Sequence, residues 1–498
     1  MTERETDRSR TGAVHATLEG SSRPAWLRAR RIPAGETPDP LLCSFEAEGR
    51  RYEKLPVADL GPGGLGLRPE RPLGLAPGTA LQDLEIRSGG QRLWSGEGEL
   101  IYALDTAEPR AGLRLLGLLD LARVHWTRGL EGLLREEEAG REELPVAYRT
   151  ALLQAVQLLE GAKRVLTGAE GEKGGLEVWP DEEVRRLCVE FHMRWSPRFL
   201  ELMERLDELR ADLPPEARLL ADRYAERALL PLLLSCPMHS RASLKPRGYA
   251  GDFELMLLYF ANRLRGESLY ARFLHFTAQH YPLGRTVVER ERTLRERLEE
   301  ASRARSDRPA LRILNLAAGP ALEMQRWLEE TPAPQKPVEL ILVDQDRDSL
   351  EYAQARLLER IAARPDELRN VRVRALHFSV KQILEPKTEE ERRTRAGILR
   401  DLDLVTSSGL FDYLPENFAV RLVQALHEGL APGGGLFLGN LRREPRTSWL
   451  MEAVLQWHLR YREEEEVLRW ARGLPGQASI TPDRTGRCLF LDYRLPAS

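Results

Sequence analysis

Residues 311–328, LRILNLAAGPALEMQRWL, followed by residues 338–344, VELILVD, decide how this chain folds. The apolar run Leu311–Leu316 reads as a buried strand, and the small residues Ala317, Ala318, Gly319 and Pro320 read as a tight turn. Leu322, Met324, Trp327 and Leu328 then recur at helical spacing. A second apolar strand, Val338–Val343, ends on Asp344. That order places a carboxylate at the carboxyl edge of the neighbouring strand, where open α/β sheets bind ligands. Small residues after the first strand let backbone approach a ligand, and the free N–H groups of the following helix face an anionic group. A carboxylate after the second strand can accept both hydroxyls of a ribose, so a nucleoside ligand is expected.

Two cofactor classes fit this unit, dinucleotides and S-adenosylmethionine. A dinucleotide site calls for G-x-G-x-x-G, whereas here Gly319 stands without the other glycines and Pro320 follows it directly. The turn is also compatible with an ordinary βα connection in any doubly wound domain. Beyond Asp344 the α/β alternation continues. A helix is expected over 349–362, strands over 371–378 and 401–406, a helix over 416–430 and a strand over 435–440. A long helix should run from about Thr447 to Arg472, before a closing strand pair near 478–480 and 487–494 around the turn Asp483-Arg484-Thr485-Gly486. Parallel strands closed by an antiparallel hairpin favour S-adenosylmethionine over a dinucleotide. The fold class is therefore α/β, with a Rossmann-like seven-stranded domain over 306–498.

At 498 residues the chain has room for about three domains. Charged residues make up 30 % of it, yet the formal net charge is only −3, so no basic excess argues for nucleic acid. The charged clusters Arg290 to Glu300 and Arg462 to Glu466 lie on helical patterns and read as solvated faces. Residues 1–22 are polar, with no apolar signal core, and read as a disordered lead. The longest apolar run, Ala228 to Cys236, contains Pro231 and falls far short of the ~20 residues that span a bilayer. A cytoplasmic protein is expected. Cys43, Cys188, Cys236 and Cys488 are scattered, which indicates buried thiols and neither a disulfide framework nor a metal site.

Over residues 23–125 short β-like runs alternate with glycine and proline turns, the pattern of a small antiparallel barrel. The stretch Asp59-Leu60-Gly61-Pro62-Gly63-Gly64 resembles the D-x-S-x-x-G turn of PilZ domains, which bind cyclic di-GMP. Gly61 takes the place of the serine, and Arg28, Arg30 and Arg31 do not fall into the family's upstream R-x-x-x-R register. A PilZ-like barrel is expected, and cyclic di-GMP is not an expected partner; packing or homodimer contacts are the alternative use.

Residues 126–305 carry long amphipathic patterns, at 130–139, 147–166, 181–195, 199–213 and 286–302, and suggest a helical lid or substrate domain. Gly168 to Gly175 and Pro214-Pro215 read as breaks. A non-helical stretch, Cys236 to Asp252, gathers Lys245, Arg247, Tyr249 and Asp252 beside glycines, as binding loops do. Asp252 also suits the N-cap of the helix that follows it.

The first turn is similar to motif I of class I S-adenosylmethionine-dependent methyltransferases, with Asn315, Ala317 and Ala321 where an acid and two glycines usually stand. KPRGYAGDFELM at 245–256, SSGLFDYLP at 407–415 and Tyr461-Arg462 after Trp457 sharpen the likeness. From about Leu230 to its end the chain resembles the bacterial 3-hydroxypalmitic acid methyl ester biosynthesis proteins. The resemblance implies an enzyme that uses S-adenosylmethionine and releases S-adenosylhomocysteine. It implies that Asn315, Ala317, Gly319 and Glu323 surround the methionine part, that Asp344 and Gln345 take the ribose, and that Ser379 and Val380 take the adenine. Ser407 and Ser408 would border the transferring methyl.

Acceptor roles follow from the chemistry of each candidate. A carboxylate acceptor needs a cation, such as Arg247 or Arg462, with Lys245, Tyr249, Trp457, Tyr413 and Tyr461 shaping the pocket. An amine acceptor needs a base, which points to Asp412 or His458, with Tyr413 beside them. Asp412 could equally be a turn residue, and His458 a packed histidine. The expected function is thus small-molecule methyl transfer to a fatty-acyl or other carboxylate. The alternatives are N-methylation of a peptide-like or heteroaromatic product, and a cyclic-di-GMP-responsive regulator in which the methyltransferase domain is a scaffold.

Overall fold

In a computed structural model of the chain, residues 32–33, 40–61, 63–88, 91–104, 106, 108–117, 119, 140, 142–304, 308–443 and 448–497 are described. The expected lead over 1–22, the arginines Arg28, Arg30 and Arg31 and the amphipathic run at 130–139 lie outside them. The chain divides into two compact units. One comprises Glu289–Arg442 and Arg462–Ser498, the other Trp26–Val288 and Arg443–Tyr461. Among the described residues no helix is long and apolar enough to cross a membrane.

The first unit is built on β8 (Leu311–Leu316), β9 (Val338–Asp344), β10 (Val371–His377), β11 (Leu402–Ser407), β12 (Leu430–Leu441), β13 (Gln477–Pro482) and β14 (Cys488–Arg494). They form one seven-stranded sheet in the order β10-β9-β8-β11-β12-β14-β13. The first five pair in parallel, and β14 inserts antiparallel between β12 and β13. This is the Rossmann-like fold with a closing hairpin that the sequence implies. Both faces are covered, so the strands read as apolar runs rather than alternating ones. Leu314, Leu316, Ile341 and Val343 face a core with Phe411 and Trp470, while Ile313, Leu340 and Leu342 face one with Trp327, Phe437 and Phe490. Each such aliphatic side chain contributes about 1.5–3 kcal/mol on burial.

Three local expectations are corrected here. The long helix from Thr447 to Arg472 does not form. Instead there is a π-turn at Leu450–Val454, an irregular stretch in which Gln456 is left-handed at φ 52°, and a short helix Glu464–Leu468. The physical reason is that Arg462 returns to the end of β12, its N–H donating to the Leu441 carbonyl, so the chain cannot run straight through. The clusters at 290–300 and 462–466 are not uniformly solvated faces, because Arg290, Glu291, Arg297 and Arg462 are buried in ion pairs. The stretch 236–252 opens with a helix, Pro237–Leu244, whose proline at N1 suits a first turn that needs no N–H. Lys245, in the left-handed conformation, ends it.

In the second unit, β2 (Leu41–Ala47), β3 (Arg50–Gly61), β4 (Gly64–Leu67), β5 (Ala80–Ser88), β6 (Gln91–Leu104) and β7 (Arg110–Leu115) close into a six-stranded barrel through the β3–β4 pairing. β1 (Ile32–Pro33) adds to β3. Its core gathers Cys43, Phe45, Leu60, Leu65, Leu84, Ile86, Leu100 and Leu113. Helices follow at Val146–Glu172, Asp181–Ala211, Pro215–Leu233 and Leu269–His280. The glycine-rich run 168–175 breaks only after Glu172, and Pro215 restarts the helix after the second expected break. Asp252 caps helix Phe253–Tyr259 by accepting from the Leu255 N–H at 2.9 Å. All four cysteines are buried thiols.

Barrel closure depends on the absence of a side chain at Gly64, where a Cβ would lie 2.5 Å from the Leu113 carbonyl oxygen. Gly64→Ala is expected to destabilise the barrel by about 1–3 kcal/mol. A thermal unfolding midpoint unchanged from the parent would show that the β4–β7 seam tolerates the methyl.

Candidate functional site

Three residues of the turn after β8 hold left-handed backbone conformations: Ala317 at φ 52°, Gly319 at φ 54° and Ala321 at φ 50°. Ala317 and Ala321, both L-residues, thus hold a conformation that favours glycine. An L-residue in that region costs roughly 1–2 kcal/mol. At Gly319 itself a Cβ would enter open space, so the backbone is accessible to a ligand on that side. The turn leads into helix Leu322–Glu330, with Ala321 at its N-cap. Asn315 and Glu323 are both buried, and the Asn315 Nδ2 donates to Glu323 Oε1 at 2.5 Å. Burial raises the Glu323 carboxyl to about 7, and Glu291 adds to the rise.

Asp344 stands at the end of β9, next to that turn. Its Oδ2 accepts the Gly319 N–H at 2.9 Å and its Oδ1 the Asp346 N–H at 2.9 Å. Desolvation raises this carboxyl from 3.8 to about 6, against the pull of the Asp346, Gly319 and Gln345 N–H groups. Gln345 is half-buried, and its carbonyl pairs with His377 Nε2 at 3.0 Å. Ser379 follows β10 as the cap of helix Val380–Leu384 in a capping box with Gln382, so its hydroxyl is engaged locally. Val380, half-buried, is left to supply an apolar surface there.

The loop after β11 is braced by two buried arginines. The Ser407 hydroxyl donates to the Leu316 carbonyl at 2.9 Å, which ties β11 to β8. Arg290 Nη1 donates to Asp412 Oδ2 at 2.8 Å and to the Ser408 carbonyl at 3.4 Å, while Asp412 Oδ1 accepts the Leu441 N–H at 2.6 Å. Desolvation pushes the Asp412 carboxyl up, and the Arg290 guanidinium opposes it. Arg462 donates to the Phe411 and Leu414 carbonyls, to Asn440 Oδ1 and to Glu416, and stacks 5.1 Å from the Trp470 ring. Expected as an acceptor clamp, Arg462 is a buried strut of this loop. Asp412 ties the loop to the end of β12, and Tyr413 beside it is half-buried. Sequence reasoning missed Arg290, whose charged helical neighbourhood carries no mark of burial.

The remaining candidates fall in the second unit. Lys245 Nζ donates to the Gln456 carbonyl at 2.5 Å, so the 245–249 loop and the 456–461 segment are brought together within it. Arg247 pairs with Glu254 at 3.0 Å and lies 4.7 Å from the Phe253 ring. Tyr249 is half-buried, Trp457 buried, His458 exposed with its Nε2 3.4 Å from Gln456 Oε1, and Tyr461 half-buried.

No protein-family model and no curated protein matches the sequence. Among solved structures the chain is similar to a "possible exported protein" of Bordetella parapertussis, at 16 % identity over 60 % of this chain and 96 % of that one, with a TM-score of 0.37. It is also similar to magnesium protoporphyrin IX methyltransferase of Synechocystis PCC 6803 with bound SAH, at 10 % identity over 42 % of this chain and 84 % of that one, TM-score 0.31. A third is the N-methyltransferase NodS of Bradyrhizobium japonicum WM9, at 15 % identity over 42 % and 97 %, TM-score 0.27. Strand order and side-chain geometry, rather than these partial likenesses, carry the functional reading.

Because Ala317 is strained and only half-buried, Ala317→Gly should stabilise the unit by about 0.5–1 kcal/mol, the relief of the left-handed penalty less the entropy of glycine. Scanning calorimetry should show a higher unfolding midpoint. A lower one would mean that the methyl packs more favourably than the strain costs.

Proposed function

We propose that this protein is an S-adenosylmethionine-dependent methyltransferase acting on a small-molecule carboxylate, a fatty-acyl or related acid, to form a methyl ester. The observation that carries the cofactor assignment is the Gly319 N–H bonded to Asp344, which sets an accessible left-handed turn and a desolvated carboxylate side by side at the carboxyl ends of β8 and β9. Bound there, S-adenosylmethionine supplies a methyl carbon on a sulfonium centre, which a nucleophile takes in line while the C–S electron pair stays on sulfur.

The residue roles follow from what each group has to offer. Asp344 accepts the two ribose hydroxyls, with Gln345 beside it. The turn Ala317–Gly319 brings main chain against the methionine part, Val380 packs on the adenine with the Ser379 main chain, and the main chain of Ser407 and Ser408 borders the methyl. A carboxylate acceptor is favoured over an amine because Asp412, the carboxyl on this loop, already pairs with Arg290 and the Leu441 N–H. It is poorly placed to take a proton. An ionised carboxylate needs none, and its oxygen attacks directly as the methyl C–O bond forms. Aligning it and keeping water out then account for the rate.

Asp344→Ala should weaken S-adenosylhomocysteine binding by about 2–4 kcal/mol, the loss of two hydrogen bonds to a charged group. Titration calorimetry on the full chain tests this, and unchanged affinity with the fold intact would remove Asp344 from the site.

The same carboxyl sets a pH dependence. Its value is raised to about 6, so in the ligand-free chain folding takes up a proton between 3.8 and about 6, and stability falls as pH rises through that window. Ribose hydroxyls donate to the ionised form, so affinity runs the opposite way. It should rise with pH through about 6 and fall roughly tenfold per unit below it. Asp344→Asn should flatten that acid limb, and an acid limb that persists in the variant would assign it to another group.

A further inference from the structure

We propose that the outward face of the helix Asp181–Ala211 is a self-complementary surface, on which a second copy of this chain docks antiparallel about a two-fold axis beside Met193. The surface lies in the second unit and owes nothing to the cofactor reading.

The helix runs for 31 residues and buries one side, with Cys188, Trp195, Phe199 and Leu206 at helical spacing. Its other side carries an exposed row in which Met193 is 70 % exposed and Val189 42 % exposed, with Pro197 continuing it. Apolar side chains exposed singly are ordinary; the charge around these is what distinguishes the row. Glu182, Arg186, Glu190, Arg198, Glu201 and Arg205 flank them, all exposed, and among the described residues none of the six has a side-chain hydrogen bond or ion pair. Opposite charges stand there three or four residues apart, the spacing at which a helix pairs its own side chains, and yet they remain unpaired.

The order of the signs selects the occupant. When two copies of one helix lie antiparallel across a two-fold axis, residues equally far before and after the axis face each other, and each such contact occurs twice. An axis between positions 193 and 194 opposes Glu182 to Arg205, Arg186 to Glu201 and, within one residue, Glu190 to Arg198. It also sets Met193 against its own copy and Val189 against Pro197. The apolar residues therefore meet in the middle and the ion pairs lie outside them, as in an interface with a dry centre and a polar rim. A parallel pairing would instead oppose every charge to its own like. Two like-charged approaches remain on the antiparallel axis, and both have an answer. Arg194 nears its own copy with Glu190 one turn away on each helix, and Glu204 faces Glu183, whose charge Lys173 already meets at 2.5 Å. From 182 to 205 the face is only about 35 Å long, and exposed ion pairs contribute little each. The dimer is accordingly weak and sensitive to salt.

Sedimentation velocity on the full chain tests this in roughly 0.1 M and roughly 1 M salt, between which the screening length falls from about 10 to about 3 Å. The parent is expected to dimerise in the dilute salt with a dissociation constant in the micromolar range, and to associate several-fold more weakly in the concentrated one. Arg186→Glu and Glu201→Arg should each weaken self-association about tenfold or more, because the axis applies every substitution twice. Both positions are exposed, so the variants should fold as the parent does, and an unchanged unfolding midpoint checks that. Mixed in equal amounts, the two variants should associate as tightly as the parent, since each then meets opposite charge on the other at both positions. A parent that stays monomeric well above micromolar concentration in dilute salt overturns the proposal. So does a dimer indifferent to both substitutions, which would put the contact on another face, and so does a mixture no tighter than its components.

Discussion

One hydrogen bond, from the Gly319 N–H to the Asp344 carboxylate, fixes how the turn after β8 and the end of β9 stand to each other. It crosses from the turn after one strand to the end of the next, so the turn cannot relax into an ordinary right-handed helix start without losing a bond to a charged group. That constraint explains why Ala317 and Ala321 persist in left-handed conformations. The strain of roughly 1–2 kcal/mol at each is offset by the parallel register of β8 with β9 and by the packing of Ala321, which is fully buried. The outcome is a carboxylate held desolvated and oriented by main-chain N–H groups.

The loop after β11 obeys a different rule. Arg290 and Arg462 are both buried, and between them they hold main-chain carbonyls of Ser408, Phe411 and Leu414 and the side chains of Asp412, Asn440 and Glu416. Burying a guanidinium is expensive unless its donors are met, and removing one partner of such a pair commonly costs about 3–5 kcal/mol. A loop locked from two sides in this way loses little entropy when a substrate docks beside it. Of its ionisable groups, Asp412 is already held by Arg290 and the Leu441 N–H.

How much of this was legible in the sequence follows from what each signal measures. Apolar runs such as 311–316 and 338–344 mark strands buried on both faces, and the strand order closed by Gln477–Pro482 and Cys488–Arg494 emerges as expected from them. The acid at 344 was legible because its position after an apolar strand is itself the signal. Burial of charge was not. Arg290 and Arg462 lie in runs of mixed charge with the composition of a solvated face, and only their partners, 122 and 46 residues away in sequence, make them internal. The helix expected over 447–472 failed for a related reason. Helical periodicity in 464–471 is real, but nothing in the pattern reports that the backbone at Arg462 must first bond to Leu441. In the turn at 317–321 the identity of the residues misled while their smallness did not, because backbone conformation there is set by the hydrogen bond to Asp344.

The excursion Arg443–Tyr461 shows how an α/β sheet can carry an insertion without losing its order. Arg442 and Arg462 are bridged to each other, and the Arg462 N–H returns to the Leu441 carbonyl, so the insertion leaves and re-enters at one point on the end of β12. Once a loop is closed at its base, added length costs only a slowly growing entropy. Within its own unit the insertion is anchored by the fully buried Trp449, by packing of the 450–454 turn on helix 215–233, and by Lys245 Nζ on the Gln456 carbonyl. Lys245 and Gln456 both hold left-handed backbone conformations, so the contact joins two strained points and fixes the 245–249 loop and the 456–461 segment to each other. Two stretches 211 residues apart in sequence therefore behave as one structural element. Substitutions at Arg247 or Tyr249 should accordingly be read together with those at Trp457 and Tyr461, since neighbours that share a network do not act additively.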